Sequence, residues 1–177
     1  MLRNPLKTSR TVIENIAVDD ALFFLSLVNS PGWVRFIGDR NLKTGADARR
    51  FLENGFLRSY TENRFGYYIV KEKRTYVPIG ICGFLKKTSL EFPDFGFAFL
   101  PDYSGQGYAV ESCKAVLDYG VDEFNFDVLD AVTMPENVRS IRLLEKLGFS
   151  RVGKVLTDPA EDELILFRWQ RELAQIG

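Results

Sequence analysis

The chain has 177 residues, enough for one domain, 1–177, with one sizeable core. Its 46% hydrophobic and 27% charged residues fit a soluble globular protein, and a net charge of -1 gives no field that would draw it to nucleic acid or an anionic membrane. There is no histidine, which excludes a Ser-His-Asp triad, a Cys-His pair and a His-ligated metal site. Acid–base work is left to carboxylates, Tyr, Cys, Lys, Ser, the backbone or water. No apolar run is long enough to span a bilayer. The start, MLRNPLKTSR, has basic residues with no apolar stretch after them and does not read as a secretory signal. Cys82 and Cys113 lie in apolar contexts, which suits buried thiols in a reducing compartment, so a cytoplasmic location is expected. Fifteen Phe and seven Tyr predict a Phe-heavy core.

In chain order, a first strand is expected around Arg10 to Ile16. Asp19 or Asp20 opens a helix, ALFFLSLVN, that stops near Ser30-Pro31-Gly32. GWVRFIGDR reads as a loop with aromatic anchors. Thr44 to Tyr60 reads as a second helical region with Thr44 as its N-cap. Strands follow at Gly66 to Glu72, Pro78 to Lys87 and Asp94 to Leu100, the first closed by a turn at Lys73-Arg74. In the third of these, DFGFAFL, alternation puts Phe95, Phe97 and Phe99 on one face and Asp94, Gly96 and Ala98 on the other. A face that bare admits either a closely packed element or a ligand.

From Gly107 to Val121 a helix is expected. At about 100° per residue, Ala109, Val110, Cys113, Val116, Leu117, Gly120 and Val121 share its core face, while Glu111, Lys114, Asp118 and Asp122 share the opposite one. Phe126 to Met134 reads as a buried strand. Pro135 then sits at the first position of a helix over Glu136 to Leu147, with Gly148 as its stop. FSRVGKVLT and ELILFRWQ form a final hairpin around Asp158-Pro159.

Two places carry chemistry. PDYSGQGYAVES joins a strand to a helix through Gly105 and Gly107. Free N–H groups and the dipole at a helix start, with glycines that allow positive φ, make an anion site for a phosphate or pyrophosphate. A Gly-x-Gly alone is also an ordinary turn, and this one is neither a Rossmann fingerprint nor a Walker A loop. The second place is PENVRSIRLLEKLGF. Its wheel puts Asn137 and Ser140 in the apolar arc with Val138, Ile141, Leu143, Leu144 and Leu147, and Arg139, Arg142 and Lys146 in the other. Polar groups there either bond to neighbouring backbone, with Asn137 helping to cap the helix, or face a ligand.

Together, DDALFFLSLVNSPGWVRFIGDR, PIGICGFL, DFGFAFLPDYSGQGYAVESCKAVLDYG and PENVRSIRLLEKLGF resemble the GCN5-related N-acetyltransferase (GNAT) superfamily over nearly the whole chain. They are most similar to its RimJ/RimL-like branch of protein N-terminal acetyltransferases. The resemblance implies an α/β (α+β) GNAT fold, a twisted mixed sheet of about seven strands with two splayed central strands, flanked by about four helices. It implies acetyl-CoA as co-substrate and no metal. The pyrophosphate is expected on backbone N–H groups of Gly105, Gln106, Gly107, Tyr108, Ala109 and Val110, and the pantetheine arm along Phe97, Ala98, Phe99 and Leu100. Asn137 and Ser140 should project towards that arm. Two departures from the wider family stand out. The residue three before the first loop glycine, usually Gln or Arg, is Asp102 here, so backbone N–H groups must carry the phosphates. The position of the family's acid Tyr holds Leu144. Ser140, one turn away, fits the Ser hydroxyl that serves the thiolate in the RimJ/RimL-like branch.

The expected reaction is direct attack of a neutral amine on the thioester in a ternary complex. Asp94 is the candidate base and Ser140 the candidate donor to the leaving thiolate, although Asp94 also reads as the end of a loop after Pro93. Glu91 is a weaker base, and Glu111 reads as structural. The acceptor is a protein N-terminus or a small amine, such as a polyamine, amino acid or aminoglycoside. Trp33, Phe36 and Arg40 either line its pocket or anchor their loop. A non-catalytic acyl-CoA sensor on the same fold and a nucleotide-binding module remain as alternatives. No nucleic acid or membrane partner is expected, and the state is monomer or homodimer.

Overall fold

The computed structural model describes residues 1–156 and 163–171. Strands β1 (Leu6–Lys7) and β2 (Thr11–Asn15) lead into α1 (Ala21–Val28), entered through a 3-10 turn at Val18–Asp20. GWVRFIGDR is not the expected loop. It contributes α2 (Pro31–Phe36), because Pro31 sits at the first helical position, where a missing N–H leaves no bond unmade. Trp33 is buried there and packs edge-on against Phe24. Thr44 caps α3 (Gly45–Leu52) as expected: its side chain accepts the Asp47 N–H at 3.1 Å, and Asp47 reaches back to the Thr44 N–H at 2.9 Å. A π-helical turn at Glu53–Leu57 passes the chain on to α4 (Arg58–Asn63).

Four strands and a helix then build the centre: β3 (Tyr67–Glu72), β4 (Pro78–Leu85), β5 (Asp94–Phe99), α5 (Tyr108–Phe124) and β6 (Val128–Thr133). The described residues finish with α6 (Val138–Lys146), β7 (Ser150–Leu156) and β8 (Glu163–Gln170). The last two pair antiparallel, as the sequence suggested, and their connection at Asp158-Pro159 lies outside the described residues. The strand order is β1-β2-β3-β4-β5-β6-β8-β7, and β5–β6 is its parallel pair. Among the described residues the short β1 makes it eight strands rather than about seven.

Two faces of the sheet serve different ends. Tyr68, Cys82, Phe84 and Phe95 are buried on the α5 side. Gly120 lets α5 approach, since a Cβ there would overlap the Phe84 ring. Phe65, Phe124 and Phe126 close around Phe84 with ring centroids 5.1–6.5 Å apart. Cys113 is buried, as its place on the wheel required, and burial beside Cys82 pushes its thiol well up, which suits a core residue and not a nucleophile. The opposite face carries Ile69, Ile81, Gly83, Gly96 and Ala98 under α1 to α4.

Candidate active site

β5 and β6 pair at Asp94 and Asp130, where the Asp130 N–H also donates to the Pro93 carbonyl at 3.0 Å. Among the described residues the register goes no further, so the strands part beyond that point into a wedge. Its closed end is clamped. The Asp130 carboxylate is fully buried and accepts from Arg168 Nε at 2.8 Å and from its second nitrogen at 3.3 Å. The guanidinium lies over Phe92, 4.5 Å from the ring centre. A buried carboxylate is tolerated because it is paired and hydrogen-bonded.

Along the open part, β5 bonds to β4 through its even-numbered residues; the Leu100 N–H donates to the Ile79 carbonyl at 2.9 Å. Strand alternation then turns the N–H and C=O groups of Phe97 and Phe99 the other way, into the wedge. Gly96 through Leu100 are all half-buried, so this edge is reachable.

A 3-10 turn at Pro101–Tyr103 carries β5 into the glycine loop. Gly105 and Gly107 have φ of +75° and +84°, conformations that favour glycine, and Gly107 is the N-cap of α5. The loop from Gly105 to Gly107 is exposed, and Tyr108, Ala109 and Val110 are half-buried in the first turn of α5. Asp102 is exposed, and its backbone carbonyl accepts from the Gln106 side chain at 2.6 Å. Arg10, at the mouth of β2, instead brings a cation to the loop. It donates to the Gln106 carbonyl at 2.9 Å and stacks 4.5 Å from the Tyr108 ring centre. Glu111, expected to be structural, holds Arg10 through Nε at 2.8 Å and its backbone N–H at 2.6 Å.

On the other wall, α6 starts later than expected. Pro135 precedes it, Asn137 is its N-cap, and the Asn137 Oδ1 accepts the Ser140 N–H at 3.2 Å. The capping alternative is therefore realised, and the Asn137 amide nitrogen is the group left for a ligand. Both residues are half-buried. Val138, grouped with the apolar arc on the wheel, is 50% exposed, because the first turn stands clear of the sheet. Leu143, Leu144 and Leu147 are buried as expected.

Asp94 is 2% exposed. Its Oδ2 meets Lys87 Nζ at 2.7 Å, and its Oδ1 is buried with no hydrogen-bond partner among the described residues. Burial raises its pKa, against the pull of the Lys87 ammonium. Tyr67 stands on the same face and its phenol oxygen lies over Gly96. Burial first, then the Asp94 charge, pushes that phenol well up, so it stays neutral. Glu91, the weaker candidate, is a surface partner of Arg168 at 3.3 Å, 68% exposed. A surface cleft of about 400 Å³ lined by Phe65, Lys86, Leu90, Glu91, Phe92 and Pro93 opens just before Asp94.

The sequence profile of the acetyltransferase (GNAT) domain matches residues 10–150. The chain belongs to the GNAT family. It is therefore an N-acetyltransferase by family, and GNAT enzymes use acetyl-CoA. It is 31% identical to the uncharacterized protein YkkB of Bacillus subtilis over 132 residues, 73% of this chain and 75% of that protein. It is 37% identical to the uncharacterized N-acetyltransferase YnaD of the same organism, over 42% of this chain but only 44% of that protein. A spermidine N(1)-acetyltransferase of Escherichia coli is 33% identical over 36% of this chain and 34% of that enzyme. Among solved structures, a GNAT-family acetyltransferase from Bordetella pertussis superposes with a TM-score of 0.80 at 23% identity, covering 94% of this chain and 99% of that one. RimL, a ribosomal L7/L12 alpha-N-protein acetyltransferase solved with coenzyme A, gives 0.80 at 10% identity, covering 94% and 98%. At these identities the structures establish the GNAT fold.

Within this GNAT enzyme, sequence reasoning missed three residues at the wedge. Tyr67 left one trace: Gly83 and Gly96, which fall opposite each other on the face it crosses. Lys87 and Arg10 left none, because each meets its partner through the fold. Trp33 is packed as an anchor, Phe36 is half-buried beneath Arg35, and Arg40 is exposed. No described helix is long and apolar enough to cross a membrane.

Proposed function

We propose that this GNAT enzyme transfers the acetyl group of acetyl-CoA to a single primary amine, with a protein N-terminus as the favoured acceptor. The observation that carries the reading is the wedge: β5 leaves β6 after Asp94 and turns the backbone groups of Phe97 and Phe99 into the gap, which leads directly to the glycine loop. Phe97, Ala98, Phe99 and Leu100 bind the pantetheine arm as a further strand would, and the N–H groups from Gly105 to Val110 receive the pyrophosphate. The Asn137 amide nitrogen donates to the arm.

Asp94 takes the amine proton, through water, at a carboxylate whose burial raises its basicity. A backbone N–H of β5 polarises the thioester carbonyl. As the amine nitrogen bonds to the acyl carbon and the carbon–sulfur bond breaks, Ser140 donates a hydrogen bond to the leaving sulfur. The Lys87 ammonium beside Asp94 sets a positive charge at this end of the wedge, which disfavours an acceptor carrying several further ammonium groups. That favours an N-terminal amine over a polyamine.

The test is calorimetric titration of acetyl-CoA into the protein and its Gly107→Glu variant, then thiol release with peptides and with spermidine. Tight binding lost in the variant, with turnover of peptide amines, supports the reading. Absence of binding by the parent protein overturns it, and turnover of spermidine alone replaces the acceptor.

A further inference from the structure

We propose that Arg10 is a positioning residue that turns the glycine loop into an anion receptor, so that the N-terminal hairpin sets the affinity for the cofactor's phosphates. The inference rests on the reading that acetyl-CoA binds in the wedge.

Arg10 lies 96 residues before Gln106, yet its guanidinium donates to the Gln106 carbonyl at 2.9 Å. That carbonyl and the Gly107 N–H belong to one planar trans peptide and point in opposite directions. Holding the oxygen on the Arg10 side therefore sends the Gly107 N–H to the other side of the loop. A carbonyl turned outward would set a lone pair against a phosphate, and the bond to Arg10 prevents that rotation. Gly107 needs it most, because at φ of +84° a glycine has freedom that nothing in its own side chain limits.

The arginine is itself fixed. Glu111, in the first turn of α5, takes its Nε and its backbone N–H in one carboxylate, and the Tyr108 ring lies under the guanidinium. Its second terminal nitrogen would lie 3.1 Å from a Cβ at Gly107, so the guanidinium backs the loop closely. Next along β2, Thr11 is buried and shares a hydrogen bond with Ser112 of α5 at 3.1 Å. This second link keeps β2 docked without Arg10, whose own side chain is 45% exposed. Loss of Arg10 is thus expected to loosen the loop and leave the fold standing.

The experiment compares two ligands that differ in the phosphates: acetyl-CoA and S-acetylpantetheine, titrated into the full chain, Arg10→Met and Arg10→Lys. Arg10→Met should weaken acetyl-CoA about tenfold, the scale of one charge-assisted hydrogen bond, and leave S-acetylpantetheine unchanged. Arg10→Lys should fall between, since an ammonium cannot span Gln106 and Glu111 as a planar fork does. With turnover, KM for acetyl-CoA should rise while kcat at saturation holds. Unchanged acetyl-CoA affinity in Arg10→Met, or an equal loss for both ligands, overturns the role of Arg10 alone. Failure of the parent chain to bind acetyl-CoA overturns the cofactor reading, and this role with it.

Discussion

The phenol oxygen of Tyr67 lies against Gly96, two strands away, where any Cβ would overlap it. The rows of the sheet explain how: Tyr67 of β3 is opposite Gly83 of β4, which is opposite Gly96 of β5. Two successive glycines leave a lane across the sheet, and the Tyr67 ring fills it, held from behind by Phe56 with ring centres 4.8 Å apart. Gly96→Ala should therefore displace the phenol and destabilise the fold by about 1–3 kcal/mol, the range of overpacking. In a Tyr67→Phe background, which removes the clashing oxygen, the same change should be milder. Chemical denaturation of the two single variants and the double measures the coupling. Additive effects would show that the phenol and Gly96 do not oppose each other.

Asp94 makes stability depend on pH in a known direction. Burial raises its carboxyl above the ordinary value, which for an unfolded Asp is near 3.9. Between those two values the folded chain keeps a proton that the unfolded chain has released. Its contribution is thus fully present below the unfolded value and is lost as pH rises through the folded one. Urea denaturation across that window should show stability falling with pH more steeply in the parent than in Asp94→Asn. A flat difference between the two would mean that Lys87 fully offsets the burial. As the proposed base, Asp94→Asn should also lower kcat by about 10²–10⁴-fold and remove the acid limb of kcat/KM.

How far the sequence carried these results depended on distance along the chain. Alternation in DFGFAFL and the wheel of α5 are local, and both placed the core residues on the faces observed, although Glu111, put on the outward face of α5, is held in against Arg10. The Thr44 cap is three residues wide and equally readable. The α2 helix was hidden because its six residues begin inside Ser30-Pro31-Gly32, which reads as the stop of the helix before it. The Asn137 cap was one of two readings its place on the wheel allowed, but the helix began later than Pro135 suggested, so its partner, the Ser140 N–H, emerged only from the backbone. Tyr67 over Gly96 needs the register of three strands, and Arg10 against Gln106 needs the docking of β2 on α5. Neither relation exists in a window of sequence.

The clamp at the closed end of the wedge gives a third prediction. Arg168→Met would leave the Asp130 carboxylate buried without its cation. The cost should be about 3 kcal/mol, at the low end for a broken buried pair because the guanidinium is partly exposed. Adding Asp130→Asn removes the stranded charge and should recover part of the loss. Melting temperatures of the two variants decide it: a double variant no more stable than the single one would show that Arg168 acts through packing on Phe92 and not through charge.

Asn137 has two tasks that substitution can separate. Its Oδ1 caps α6 on the Ser140 N–H, and its amide nitrogen is the proposed donor to the cofactor arm. Asn137→Asp keeps a capping oxygen and loses the donor, so the melting temperature should hold while acetyl-CoA binding weakens. Asn137→Ala loses both, and a missing cap should cost about 1 kcal/mol of stability besides the affinity. Ser140→Ala keeps the N–H that Asn137 caps but removes the hydroxyl, so it should lower kcat with acetyl-CoA affinity unchanged. Calorimetry and thiol-release kinetics on the three variants distinguish these roles. If Asn137→Asp binds acetyl-CoA as well as the parent does, Asn137 is a cap alone, and the arm is held by β5.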